Sequence, residues 1–349
     1  MRNRIFYLII TAVLSLIMVM GIYEFSKSPK LPENGFVRIF PPHVLSEFKI
    51  MPITNNTNLI GYVGDDIYMH NAGISMAYSV YSTTDHETRS IPINLLYKGK
   101  IAWKLLKMKV CDSGIFMAEG ISPNIFFTPF SSQSLKRIAG VYPGFMNLYP
   151  IDSTCVILKT YDPEKQQSIL LKYNLHSNKV INSPGLLKKQ VDGIFCTEGD
   201  LVYDPMYKRF IYLYRYRNEF FTMNTDLQLL GTGHTIDNIQ NVRIAVGSYK
   251  RNNQVKTTLS SPNKVVNVRG QVSRNNLFVQ SAIRASNEMP RTFQNNTVVD
   301  IYSLQSNTYL YSFYIPEYKD QNVRDFIIIA DYLVVLYEDH LIRYSMNLL

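Results

Sequence analysis

Short apolar runs recur along the chain between positions 67 and 346, each followed by a polar turn and a second, more amphipathic run. Six of them stand out: Ile67-Tyr68-Met69, Ile115-Phe116-Met117, Cys155-Val156-Ile157-Leu158, Phe210-Ile211-Tyr212-Leu213-Tyr214, Leu277-Phe278-Val279 and Leu333-Val334-Val335-Leu336-Tyr337. Their first residues lie 48, 40, 55, 67 and 56 positions apart, too irregular for a strict solenoid but suited to blades joined by variable loops. The pattern predicts an all-β fold, a β-propeller. Gly64-Asp65-Asp66, Asp112-Ser113-Gly114, Glu198-Gly199-Asp200 and Ser273-Arg274-Asn275-Asn276 precede apolar runs, as expected where a turn feeds a strand. Both faces of a blade pack on neighbours, so its strands need not alternate apolar with polar. The segments 326–330 and 332–337 have that two-sided character.

Six runs predict six blades. The 67-residue interval holds further strand-like stretches at 242–246 and 265–268, which leaves a seventh blade open. Ring closure needs a partner for the last blade's outer strand. The unassigned β-like stretches 36–40 and 48–53 are the candidates.

Ahead of the repeats, Met1-Arg2-Asn3-Arg4 precedes nineteen uncharged residues, 5–23, just long enough to span a bilayer as one N-terminal transmembrane helix. A cleaved signal segment is the alternative, although 19–23 offers no small-x-small cleavage site. Arg2 and Arg4 would keep the N-terminus inside, placing the rest beyond the cytoplasmic (inner) membrane in the periplasm. The expected organisation is a cytoplasmic stub (1–4), an anchor or signal segment (5–23), a linker (24–35) and a propeller domain (36–349).

With 46% hydrophobic and 18% charged residues the chain is not disordered. Its 25 Tyr and 18 Phe favour pleated, half-buried surfaces. About 310 residues would strain a single core, but a propeller divides the burial among its blade interfaces. The net charge of +9 is scattered, and beyond a membrane it suits anionic lipid, glycan or an acidic partner rather than nucleic acid. The densest basic stretch, Lys104, Lys107 and Lys109, and the later pairs Lys188-Lys189 and Lys208-Arg209 read as solvated loop and edge residues. Cys111, Cys155 and Cys196 permit at most one disulfide and read as small buried hydrophobes.

No catalytic residue, metal ligand set or cofactor motif emerges. There is no Gly-x-Ser-x-Gly elbow, and His43, His70, His86, His176, His234 and His340 are too dispersed for a zinc motif. Trp103, alone, serves a quinone-dependent propeller poorly. A calcium-dependent propeller would need channel acids and amides such as Asn71, Glu119, Asn218 and Asp237 to converge. The richest segment is 200–237. On a strand, Tyr212, Tyr214 and Tyr216 would share one face, and Leu213, Arg215 and Arg217 the other. Two arginines in so apolar a run either bridge to acids on a neighbouring blade, lie where the strand reaches solvent or, with Asn218, His234 and Asp237, form a ligand-binding set at a propeller mouth that grips carboxylate or phosphate.

The tail from Val299, V-D-I-Y-S-L-Q-S-N-T-Y-L-Y-S-F-Y-I-P followed by R-D-F-I-I-I-A-D-Y-L-V-V-L-Y-E-D-H-L-I-R-Y-S-M, resembles the closing blades of six-bladed propellers of the NHL and TolB-like groups. The stretch Tyr212-Leu213-Tyr214-Arg215-Tyr216-Arg217-Asn218 resembles membrane-anchored bacterial propellers. The resemblance implies a fold and a periplasmic setting, and carries no activity. The expectation is a membrane-tethered binding or scaffolding module for an envelope protein, peptide or glycan. The alternative is a metal-dependent propeller hydrolase or lyase with its site in the central channel.

Overall fold

The computed structural model of the protein describes residues 2–26, 35–71, 76–140, 144–183, 185–242, 244, 246–251, 254–259 and 263–348. Antiparallel sheets form six blades, each written from its inner strand outward. Blade 1 is Thr57–Val63, Asp66–Asn71, Ala77–Ser82 and Thr88–Pro92. Blade 2 is Lys107–Cys111, Gly114–Glu119, Asn124–Pro129 and Ser134–Gly140, with the short Asn94–Leu95 added in parallel at its rim. Blade 3 is Asn147–Pro150, Cys155–Asp162, Gln167–Asn174 and Val180–Asn182, and blade 4 is Gly199–Asp204, Arg209–Tyr214, Glu219–Asn224 and Leu229–His234. Blade 5 is Asn267–Ser273, Asn276–Ser281, Asn296–Ser303 and Thr308–Pro316. Blade 6 is Asp325–Ile329, Tyr332–Leu336 and His340–Met346, completed by Leu45–Pro52 from the start of the chain.

All six apolar runs fall in the second strand of a blade, the last extending one residue beyond it at Tyr337. That strand has a sheet neighbour on each side and another blade over each face, so both of its faces are dry. In Arg209–Tyr214, Phe210, Tyr212 and Tyr214 pack towards blade 3, while Ile211 and Leu213 pack towards blade 5. One apolar cluster fills each blade-to-blade interface, six in all among the described residues. The cluster joining Leu59, Ile67 and Met69 of blade 1 to Ile327, Val334 and Leu341 of blade 6 shows that the ring is closed.

Closure comes from Leu45–Pro52, paired antiparallel with His340–Met346 in a register that puts Ile50 opposite Ile342. Of the two predicted closing stretches, 48–53 is therefore the strand. Residues 36–40 instead lie across blade 5: Ser312 N–H donates to Ile39 O at 2.8 Å, and Phe40 stacks on Tyr314 with ring centroids 4.5 Å apart. There is no seventh blade among the described residues. The long interval between the fourth and fifth runs is occupied by a separate two-stranded hairpin, Val246–Arg251 with Gln254–Leu259, and residues 267–268 already belong to the inner strand of blade 5.

Three of the four turn signals join an inner strand to the second strand. At Arg274 and Asn275, φ values of +48° and +62° make the two-residue turn whose twist matches a hairpin. The fourth, Glu198-Gly199-Asp200, instead opens the inner strand of blade 4. Gly61 sits at a bulge with φ +139°, and a Cβ there would fall 2.3 Å from Val110 Cγ1. Only glycine lets the inner strands of blades 1 and 2 come this close.

The predicted anchor folds as a helix, Arg2–Ser26. Among the described residues no helix is long and apolar enough to cross a membrane. A transmembrane span is therefore not supported. Residues 27–34 of the expected linker lie outside the described residues.

Candidate functional site

The inner strands of the six blades surround a central cavity of about 590 Å³. Each inner strand starts at the face that carries the loops between blades. That face also holds the turn 215–218 and the connection from blade 4 to blade 5. At this mouth lie Leu105, Phe145, Met146 and Arg215; below them the wall carries Lys107, Lys109, Asn147, Tyr149, Glu198, Asp200 and Arg269. The opposite end is lined by Tyr62, Asp112 and Tyr203.

Strand period explains the basic side of the wall. Lys107 and Lys109 are two residues apart on the inner strand of blade 2, so both project into the lumen while Met108 between them is buried against blade 1. Lys107 Nζ donates to Asn147 Oδ1 on blade 3 at 2.6 Å. Burial, followed by the charge of Lys109, lowers the Lys107 pKa. Glu198 and Asp200 repeat the same two-residue spacing on blade 4. Asp200 Oδ2 accepts the Gly270 N–H at 3.0 Å, and Glu198 Oε2 accepts the Tyr216 hydroxyl at 3.4 Å. Between the two sides, Tyr149 is pushed far above the usual phenol range by burial, reinforced by Asp200 and Glu198. At the far end, burial and the charges of nearby aspartates raise Tyr62 and Tyr203.

Of the predicted ligand-binding set, only Arg215 reaches the cavity wall. Its backbone N–H donates to Glu198 O at 2.9 Å and its Nη1 to Val268 O at 3.4 Å. Arg217 does not share a face with Leu213, because the strand ends at Tyr214 and 215–218 turn away. Its guanidinium lies 3.4 Å from the Tyr214 ring centroid and its Nε is 2.9 Å from Glu219 Oε2, while Nη1 donates to Lys188 O at 3.1 Å. The residue is 1% exposed, and its Nη2 makes no hydrogen bond. Asn218, His234 and Asp237 do meet, though as a largely buried knot. Asn218 Nδ2 donates to Asp237 O, Asn218 O lies 3.1 Å from His234 Nδ1, and Asp237 accepts Thr235 Oγ1 at 2.6 Å and Ile239 N–H at 3.0 Å. Burial, the largest influence on Asp237, raises its carboxyl pKa. His234 is the member of this set that reaches solvent.

The four residues of the calcium reading do not converge. Glu119 binds the Ile121 and Ser122 N–H groups and the Asn124 amide, Asn71 binds Thr54 and Asn55, and Asn218 and Asp237 sit in the knot just described. Among the described residues no group of three or more His, Cys, Asp and Glu is placed to hold a metal ion. The three cysteines are free thiols, Cys111 and Cys196 buried and Cys155 partly so.

Sequence reasoning missed two features. Lys107 and Lys109, read as loop cations, face the lumen; their two-residue spacing was the available signal. Arg38, never singled out, is 2% exposed and enclosed by Asp300 and Glu288. An arginine in Val37-Arg38-Ile39 and an aspartate in Val299-Asp300-Ile301 were the corresponding hints.

The fold has solved counterparts. A member of the DUF4221 family from Bacteroides vulgatus superposes with a TM-score of 0.55 at 10% identity, over 90% of this chain and 99% of that one. A putative exported protein from Bacteroides fragilis superposes with a TM-score of 0.53 at 8% identity, over 90% and 98%. At such identities the likeness is one of fold, and it does not place the chain in the NHL or TolB-like groups. No protein-family model matches the chain, and no curated protein matches it.

Proposed function

We propose that the protein is an extracytoplasmic binding module, held at the inner membrane by its N-terminal helix, whose propeller receives an envelope protein, peptide or glycan at the channel mouth beside Arg215. The observation that carries this reading is the cavity itself. About 590 Å³ lies within the range of ligand sites, and its wall presents lysines with no carboxylate within 4 Å among the described residues. Leu105 and Met146 supply partly exposed apolar surface at the rim, the mixture of apolar wall and few polar groups that binding sites use.

The tether reading rests on the helix. Val13, Leu14, Leu16, Ile17, Met18, Val19 and Met20 are all more than half exposed, on every side of it, and a helix apolar all round requires an apolar surrounding. The name of one fold neighbour, a putative exported protein, agrees with a location outside the cytoplasm. Two experiments test the proposal. Membrane fractionation with protease added to intact cells should find the propeller in the membrane fraction and cleavable only once the outer barrier is opened. Cross-linking from a photoreactive residue at position 105 should capture an envelope component that Arg215→Ala loses. Recovery in the cytoplasmic fraction would reject the tether, and capture unaffected by Arg215→Ala would reject the mouth.

A further inference from the structure

We propose that the channel takes a zwitterion, a ligand of the amino-acid or short-peptide class whose carboxylate meets Lys107 and Lys109 while its ammonium meets Glu198 and Asp200. The inference rests on the reading of the channel as the binding site and names the chemistry of its ligand.

The lumen carries opposite charges that do not pair with one another. Blade 2 contributes Lys107 and Lys109, and blade 4 contributes Glu198 and Asp200, separated by Asn147 and Tyr149 of blade 3. Among the described residues none of these four charged side chains has an ionic partner within 4 Å. By contrast, Arg269 on blade 5 is ion-paired with Asp325 on blade 6, and Glu119 is saturated by backbone and amide donors. The two lysines share one strand face, and Lys109 adds to the burial that lowers the Lys107 pKa, a cost that an anion beside them would relieve. The two carboxylates have only the Gly270 N–H and the Tyr216 hydroxyl as described hydrogen-bond donors. Arg215 lies at the mouth and spends its Nη1 on a carbonyl.

This arrangement selects by sign. A dianion that gained the lysines would sit beside Glu198 and Asp200, and a polyamine that gained the acids would sit beside the lysines. A molecule carrying both charges satisfies both walls at once. The cavity admits more than a single amino acid. At the rim Leu105, Phe145 and Met146 offer an apolar surface for a side chain, with the indole of Trp103, 56% exposed, two residues from Leu105.

The test is calorimetric titration of the purified full chain with Ala-Leu-Ala, with its N-acetyl form and with its C-terminal amide, and with citrate as an anion-only probe. The expected result is saturable binding of the free tripeptide, weakened at least tenfold by either cap. In the Lys107→Ala/Lys109→Ala variant the amide cap should no longer matter, and in Glu198→Gln/Asp200→Asn the acetyl cap should no longer matter. Because the cap comparison uses the unaltered protein, it stands even where a variant fails to fold. Equal binding of capped and free peptide overturns the proposal, and so does the absence of peptide binding. Citrate binding that depends on the lysines, without peptide binding, overturns the zwitterion and leaves the channel as a ligand site.

Discussion

Arg38 and Asp300, 262 residues apart, are joined by two parallel hydrogen bonds, Nε to Oδ1 at 2.7 Å and Nη2 to Oδ2 at 2.9 Å. The rest of the guanidinium is used as fully, on Ile283 O at 2.9 Å and on Glu288, whose other oxygen accepts the Tyr314 hydroxyl at 2.6 Å. The pair locks the entering chain onto blade 5 just before that chain completes blade 6. A bidentate, desolvated fork of this kind is one that lysine cannot copy.

Removing one partner leaves a buried charge without compensation. Arg38→Ala and Asp300→Ala are each expected to destabilise the propeller by about 3–5 kcal/mol, and Arg38→Lys by only somewhat less. Urea unfolding followed by tyrosine fluorescence checks the order. A loss below about 1 kcal/mol for both alanine variants would mean that the network is not holding the segment.

The closing strand makes a separate prediction. A chain beginning at residue 36 retains both the Arg38 lock and Leu45–Pro52. One beginning at residue 54 leaves the strand His340–Met346 as a bare, apolar edge. The first should elute as a folded monomer. The second should aggregate or show lost β-signal by circular dichroism, and a monomeric, cooperative second species would contradict the closure argument.

How much of this was legible in the sequence follows from what each strand touches. The second strands announced themselves because they are dry on both faces: Ile115-Phe116-Met117 and Leu333-Val334-Val335 have no solvent side. Of the spare stretch 242–246 only Val246 belongs to a described strand, the first of a lone hairpin whose other residues the apolar pattern did not mark, and of 265–268 only 267–268 are strand, in blade 5. Inner strands were the hardest to read, since a lumen and an outer edge impose the same half-polar alternation. Lys107 and Lys109 therefore looked like loop cations. Arg217 was placed on the wrong face because the strand stops at Tyr214, and the turn carries its side chain back over that ring.

Lys159 predicts a pH dependence. Its ammonium is buried between blades 3 and 4, donating to Thr197 O at 3.0 Å and Tyr212 Oη at 2.9 Å, and burial pulls its pKa down to about 8. Between that value and the ordinary 10.5 the unfolded chain binds more protons than the folded one, so stability rises with pH there, by up to roughly 1.4 kcal/mol per unit. Tyr212 and Tyr302 act in the opposite sense: their folded pKa values are raised by burial, and the stability they contribute is lost above about pH 10. Denaturant midpoints should climb from pH 8 to 9.5 and fall beyond. In Lys159→Met the climb should vanish, with stability at pH 7 equal to or above that of the parent; an unchanged slope would assign it to other groups.

Arg215 and Arg217, two residues apart, should separate stability from binding. Arg217 is enclosed, its charge set against Glu219 and its plane over Tyr214, so Arg217→Ala leaves Glu219 with only the more exposed Lys188 at 3.4 Å and opens a void beside the ring. A loss of about 3 kcal/mol is expected, visible as a lower unfolding midpoint. Arg215 is half-buried on the lumen wall, its side chain reaching the Val268 carbonyl at 3.4 Å and the Tyr216 hydroxyl, so Arg215→Ala should shift stability by no more than about 1 kcal/mol. Its effect should appear instead in ligand capture at the mouth, with weaker salt dependence of what remains. Equal destabilisation by the two variants would mark Arg215 as a second structural arginine, and Arg217→Ala with parental stability would mean that its partners relax without it.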